Sequence, residues 1–210
     1  MLYLKTLSLQ DQYIYLAVPL SVTFIFLAIL FNGMEFDGDA EVVRYKKSVV
    51  ETGSMTLFAI ACFVVYRMRI GEVDFRNTWR VFGATVVYVS LAINILGRIW
   101  LKSNWSNQIR VKSTHTLVCS GPYKVVRHPL YTTTITMIYG AALVYGNISV
   151  LILNTLIFIP MMIYRARQEE SALSELLDVY SEYQRRVPML MPSVFKFYKQ
   201  ILMENQKEVR

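Results

Sequence analysis

Leu130 to Tyr164 reads LYTTTITMIYGAALVYGNISVLILNTLIFIPMMIY, 35 mostly apolar residues in one block. One membrane-crossing helix needs only about 20 such residues, so the block is too long for an ordinary span. Gly146-Asn147 falls near its middle, and this pair is favourable turn chemistry. The stretch therefore predicts two spans, 130–145 and 148–164, joined as a tight helical hairpin.

Three more apolar blocks precede it: Tyr13 to Phe31, Val49 to Met68 and Trp79 to Trp100, the last bracketed by tryptophans as at a membrane interface. Polar segments separate them, 32–48 and 101–129. A third polar segment opens at Arg165-Ala166-Arg167-Gln168-Glu169-Glu170 and predicts an amphipathic helix over 165–186, ended by Val187-Pro188. The expected fold class is all-α: a polytopic membrane protein of about five transmembrane helices with a cytoplasmic C-terminal helix. Residues 1–210 are read as one integral membrane domain.

Hydrophobic residues make up 54% of the chain and charged ones 18%, with the charges gathered between the apolar blocks, which is membrane patterning rather than soluble patterning. The net charge of +7 fits basic loops beside an anionic leaflet, and no aromatic-interleaved basic patch points to nucleic acid. With the C-terminus inside, the inside segments hold sixteen Lys and Arg and the outside segments five, so the N-terminus is expected outside. The first apolar run, preceded only by Lys5 and followed by no small-residue cleavage pattern, reads as a retained span. Cys62 and Cys119 sit in unlike settings and form neither a disulfide framework nor a metal-ligand spacing. No metal is expected, and no oligomeric state follows from the sequence.

This topology puts the 101–129 loop, a candidate cofactor loop, beside the helix opening at Arg165. The loop carries His115-Thr116-Leu117-Val118, Gly121-Pro122-Tyr123 and Arg127-His128-Pro129-Leu130-Tyr131. Pro129 suits a first helical turn, whose exposed N–H groups attract anions. The plainer reading is an interfacial anchor, with arginine snorkelling and tyrosine among headgroups. Arg165 and Glu169 share a helical face and could hold an anionic substrate and a cofactor, or form an ordinary surface pair. Arg98, near the inner end of the third span, either snorkels or marks a functional site.

Taken in order, these strings resemble the isoprenylcysteine carboxyl methyltransferase family, within a wider group that includes phospholipid methyltransferases. The resemblance begins near Asn94 and resumes at Arg165, Glu169-Glu170, Tyr180, Tyr183 and Arg186-Val187-Pro188. It implies an S-adenosyl-L-methionine-dependent methyltransferase, releasing S-adenosyl-L-homocysteine, that methylates a carboxylate on a prenyl-like lipophilic acceptor. It also implies that His115, Thr116, Leu117, Val118, Tyr123, His128, Pro129, Leu130, Tyr131 and Glu169 bind the cofactor. Arg165 would be the catalytic, substrate-carboxylate-holding residue, and either Gln108 or Arg110 would add a cofactor contact. The implied site faces the cytoplasm, from the endoplasmic reticulum membrane in a eukaryote or the cell membrane in a prokaryote. Thr133 departs from the pattern, since relatives often carry glycine there.

Three other functions compete. Membrane sterol-type reductases share an Arg-His-Pro-like string and use NADPH. A phospholipid or thiol methyltransferase of the same group would keep the cofactor and change the acceptor. A transporter or scaffold is disfavoured, because no internal repeat occurs and the polar strings gather at one membrane face.

Overall fold

The computed structural model describes residues 8–35, 42–46, 52–101, 109–112, 117–177 and 179–193. Helix α1 spans Leu9–Glu35, α2 Thr52–Arg67, α3 Asn77–Leu101, α4 Pro129–Tyr145, α5 Ile148–Leu153, α6 Ile159–Leu176 and α7 Tyr180–Arg186. A π-helical turn, Asn154–Phe158, joins α5 to α6 in one rod. It lies just before Pro160, which lacks the N–H that a regular α-turn would use. Two short strands, β1 Val42–Lys46 and β2 Ile109–Lys112, pair antiparallel and add a small ribbon to the helical fold.

Cross-links between the connections set the direction of every helix. The ribbon ties the α1–α2 connection to the α3–α4 connection. The α2–α3 connection meets the α4–α5 turn through a Glu72–Asn147 bridge, with Val73 N–H donating to the Gly146 carbonyl at 2.7 Å. Connections thus alternate between two ends, so α1, α2, α3, α4 and the α5–α6 rod run antiparallel in succession. Gly146, at φ 63°, ends α4 in the left-handed conformation that favours glycine, and the Asn147 side chain caps α5 by accepting from Val150 N–H.

α3 and the α5–α6 rod, 77–101 and 148–176, are long and apolar enough to cross a bilayer, while the apolar part of α2, Ser54–Arg67, is shorter. Leu57, Ile60 and Phe63 on α2, Val89 and Ile93 on α3, and Leu156 on the rod lie exposed, an apolar surface suited to lipid. The rod runs on past Tyr164 to Leu176, so the expected break at 165 is absent, and the expected helix over 165–186 is instead two, one ending at Leu176 and the other spanning Tyr180–Arg186. Arg, Ala, Gln and Glu at 165–170 all favour helix, so the change in polarity there does not end it.

α3 and α4 pack along a seam of small and polar residues. A Cβ added at Gly83 would come within 2.7 Å of the Gly140 carbonyl, and one at Gly140 equally close to that of Gly83, so the two backbones touch. Further along, the Ser90 and Thr136 hydroxyls bond at 2.7 Å, and Asn94 Nδ2 donates to Thr133 Oγ1 at 2.8 Å. Ile14, Ala17, Ala84, Val87, Met137 and Val144 form one core, and Phe58, Ile135, Phe158 and Met162 a second.

Candidate active site

The chain before α4 is held down from three directions. Gly121 has φ 58°, and a Cβ there would enter the Trp100 ring, so glycine lets the 3-10 turn 121–124 rest on the end of α3. The Tyr183 hydroxyl donates to the Tyr123 carbonyl at 2.7 Å. Arg127 N–H donates to the Pro188 carbonyl at 2.9 Å, His128 N–H to that of Met189 at 3.1 Å, and Thr132 Oγ1 to that of Leu190 at 2.8 Å. Residues 188–190 thus form a strap beneath the start of α4.

Glu170 sits at the centre of this joint. Arg127 Nε and Nη2 donate to its two carboxylate oxygens at 2.7 and 3.1 Å, a bidentate pair with both side chains buried. His128 Nε2 lies 2.9 Å from Oε1, and Gln184 Nε2 donates to Oε2 at 3.1 Å. Arg127 Nη1 also donates to the Gln184 and Val187 carbonyls. One carboxylate therefore fastens together α4, α6 and α7. Because Glu170 accepts from Arg127, the His128 Nε2 facing it is the donor, which leaves Nδ1 directed away from the clamp.

On the adjacent face, the Tyr131 hydroxyl donates to Glu169 Oε2 at 2.8 Å and accepts from Arg165 Nε at 3.0 Å. The His128 and Tyr131 rings stack, with centroids 5.3 Å apart and planes 5° off parallel. His128 Nδ1 is 3.8 Å from Glu169 Oε2. Burial pushes the phenols of Tyr123, Tyr180 and Tyr183 up, helped at Tyr123 by the Glu169 carboxylate and at Tyr180 by Glu170 and then Glu169, so all three stay protonated and can donate.

These groups form the polar end of a cavity of about 770 Å³. Leu117, Val118, Tyr123, His128, Leu130, Tyr131, Arg165 and Glu169, all expected from the sequence, line it. Pro129 is fully buried at the first turn of α4 and helps position the helix instead of lining the cavity. His115 and Thr116 lie outside the described residues. Arg98, Tyr180 and Tyr183 also line the cavity. From there it continues between α2, α4 and the rod past Met55, Phe58, Cys62 and Phe158 to Tyr145 and Asn147, at the far end of α4.

The model of the isoprenylcysteine carboxyl methyltransferase (ICMT) family matches residues 83–175. The match covers a little under half of the chain and is a likeness of that segment to the family. The matched segment contains both halves of the Arg127–Glu170 clamp and every cavity residue from Arg98 to Glu169. Tyr180, Tyr183 and the strap lie beyond it. The chain is 28% identical over 134 residues to the cobalt-zinc-cadmium resistance protein CzcN of Cupriavidus metallidurans, covering 63% of this chain and 60% of the relative. It is 28% identical over 139 residues to the nickel-cobalt-cadmium resistance protein NccN of Alcaligenes xylosoxydans xylosoxydans, covering 66% and 63%. The chain thus spans less than two thirds of the length of these curated relatives. Its fold is similar to the solved eukaryotic intramembrane Ras methyltransferase ICMT, with a TM-score of 0.61 and 20% identity, covering 92% of this chain and 71% of that one.

Proposed function

We propose that the chain is a multi-pass membrane methyltransferase using S-adenosyl-L-methionine to methylate a carboxylate on a prenyl-like lipophilic acceptor. The observation that carries this reading is a cavity whose polar end gathers Glu169, His128, Tyr131 and Arg165 and whose remainder is largely apolar. A volume of about 770 Å³ falls within the range of about 300–1,000 Å³ usual for small-molecule sites. The donor set fits the cofactor. Glu169 suits its hydroxyl and ammonium groups, and Leu117, Val118 and Tyr123 offer apolar and aromatic wall for a purine.

When bound, S-adenosylmethionine supplies an electrophilic methyl group on a sulfonium. The protein's own part is positioning. Arg165, fixed by Tyr131, holds the acceptor carboxylate, and the apolar walls keep water out. A carboxylate is already ionised at neutral pH, so this acceptor requires no general base.

The alternating connections support a reading with five spans in one domain over residues 1–210. The basic-residue bias supports a cytoplasmic position for the polar end of the cavity. Thermal unfolding of the purified protein with S-adenosylhomocysteine and with NADPH tests the cofactor: stabilisation by the first alone supports the proposal, and stabilisation by NADPH alone replaces it with a reductase.

A further inference from the structure

The cavity follows one face of α4 along nearly its whole length. Tyr131, Thr134, Ile138, Ala141 and Tyr145 line it in turn, at the three- and four-residue steps that keep side chains on one helical stripe. Met55, Ala59, Cys62 and Tyr66 repeat the pattern on α2, across the cavity from that stripe. Phe58 of α2 meets Phe158 of the rod, with ring centroids 4.8 Å apart, and closes the space on the rod side. Beyond its polar end the cavity is therefore a channel that runs beside α4.

This channel has small side chains midway and large ones at its far end. Ala59 and Ala141 offer only methyl groups, whereas Tyr66 and Tyr145 meet across α2 and α4 with ring centroids 4.9 Å apart. Behind those rings lie main-chain groups that are already paired. Asn147 Nδ2 donates to the Ile70 carbonyl at 3.2 Å, and Val73 N–H to the Gly146 carbonyl at 2.7 Å. A hydrocarbon end pushed past the tyrosines would displace the rings and press on polar backbone, which is unfavourable.

The helix gives the channel a length. Tyr131 bonds Arg165, and Tyr145 stands fourteen residues further on, about 21 Å at 1.5 Å per residue. An extended chain advances about 1.25 Å per carbon–carbon bond, so this distance holds about seventeen bonds. A carboxylate joined through a thioether to four isoprene units has about eighteen bonds end to end, and one joined to five units about twenty-two, or roughly 27 Å at the same advance per bond.

We infer that the Tyr66–Tyr145 pair is a chain-length stop, limiting the acceptor's tail to four isoprene units. This rests on reading the cavity as a methyl-transfer site with the acceptor carboxylate at Arg165.

The test is binding of prenyl thioacetates with two, three, four and five isoprene units to the purified protein, with S-adenosylhomocysteine present. Each variant is compared with the wild type at each length in one detergent, so partition into micelles cancels. Tyr66→Ala should tighten the five-unit probe about five- to a hundredfold, the range for relief of overpacking, and leave the shorter probes within about threefold. Tyr66→Phe, which keeps the ring, should reproduce the wild-type profile. Ala141→Phe fills the channel about 15 Å from Tyr131, at ten residues of helix. It should weaken the three- and four-unit probes by about the same factor and spare the two-unit probe. Retained stabilisation by S-adenosylhomocysteine shows that the variants are folded. The inference is overturned if Tyr66→Ala changes every length alike or none, if Ala141→Phe does not separate long probes from short, or if no probe binds while S-adenosylhomocysteine does. If both shifts occur in a protein that binds no S-adenosylhomocysteine, the methyl-transfer reading fails and the length stop stands.

Discussion

Arg127 and Glu170, 43 residues apart in sequence, meet in a bidentate pair at 2.7 and 3.1 Å. Around that pair the loop before α4, the C-terminal half of the rod and the strap after α7 become one body, with the proposed site alongside it. Glu169 and Glu170 are neighbours on the helix, about 100° apart at 3.6 residues per turn, so they face different ways. Glu169 turns to the cavity and Glu170 to the clamp.

Glu170→Gln should strip a buried arginine of its counter-charge. The expected loss is about 3–5 kcal/mol, as for other broken buried pairs. Thermal unfolding in detergent, with and without S-adenosylhomocysteine, measures it. A midpoint unchanged in both conditions would show that the clamp does not hold the fold together.

Glu169→Gln should leave the unfolding midpoint nearly unaltered, because this carboxylate faces the cavity. It should lower S-adenosylhomocysteine affinity by about 1.5–3 kcal/mol, the value of a hydrogen bond to a charged group, or roughly ten- to a hundredfold. Titration calorimetry separates this pattern from that of Glu170→Gln. Identical behaviour of the two variants would contradict the division of labour between the neighbours.

How far the chain could be read before its structure was seen follows from the same residues. The Gly146-Asn147 turn and the apolar blocks were visible because each rests on local chemistry, a left-handed cap or a hydrocarbon-length run. The juxtaposition of Tyr131 with Arg165 and Glu169 was reached by combining topology with ordered motifs. The roles of Arg127 and Glu170 were missed. Their only signal was an acidic pair on one helix turn, which cannot point both carboxylates the same way. The strap at 188–190 binds through main-chain groups, which leave no mark on side-chain identity. The β1–β2 ribbon did leave a short signal, the alternating Val43-Arg44-Tyr45-Lys46 and Ile109-Arg110-Val111-Lys112, lodged in segments that otherwise read as polar loops.

Gly83→Ile places a branched side chain where even a Cβ would lie 2.7 Å from the Gly140 carbonyl. α3 and α4 must then separate, and overpacking of this kind costs about 1–3 kcal/mol. Because the Asn94–Thr133 bond spans the same seam, S-adenosylhomocysteine affinity should fall along with the unfolding midpoint. An unaltered midpoint would show that the seam is not tightly packed.

Tyr183 gives a test against pH. Its folded-state pKa is raised by burial, so the folded form keeps its proton where the unfolded form loses it. The stabilisation is complete below the ordinary tyrosine value of about 10 and declines as pH climbs above it. Tyr123 and Tyr180 add to the decline in the same direction. Tyr183→Phe should lower stability at neutral pH by about 1 kcal/mol through the lost bond to the Tyr123 carbonyl, and should make the alkaline decline shallower. Parallel alkaline profiles for variant and wild type would refute the assignment.

Methyl transfer to lipid is the most direct measurement. Purified protein is incubated with methyl-labelled S-adenosylmethionine and a native lipid extract, and label is counted in the organic phase after alkaline treatment, which cleaves carboxyl methyl esters. The account predicts label that depends on the protein, is released as methanol by alkali, and is abolished by Arg165→Ala while S-adenosylhomocysteine binding stays within a few-fold. Label that resists alkali would contradict a carboxylate acceptor, and no label in any lipid fraction, with no S-adenosylhomocysteine binding, would contradict the account as a whole.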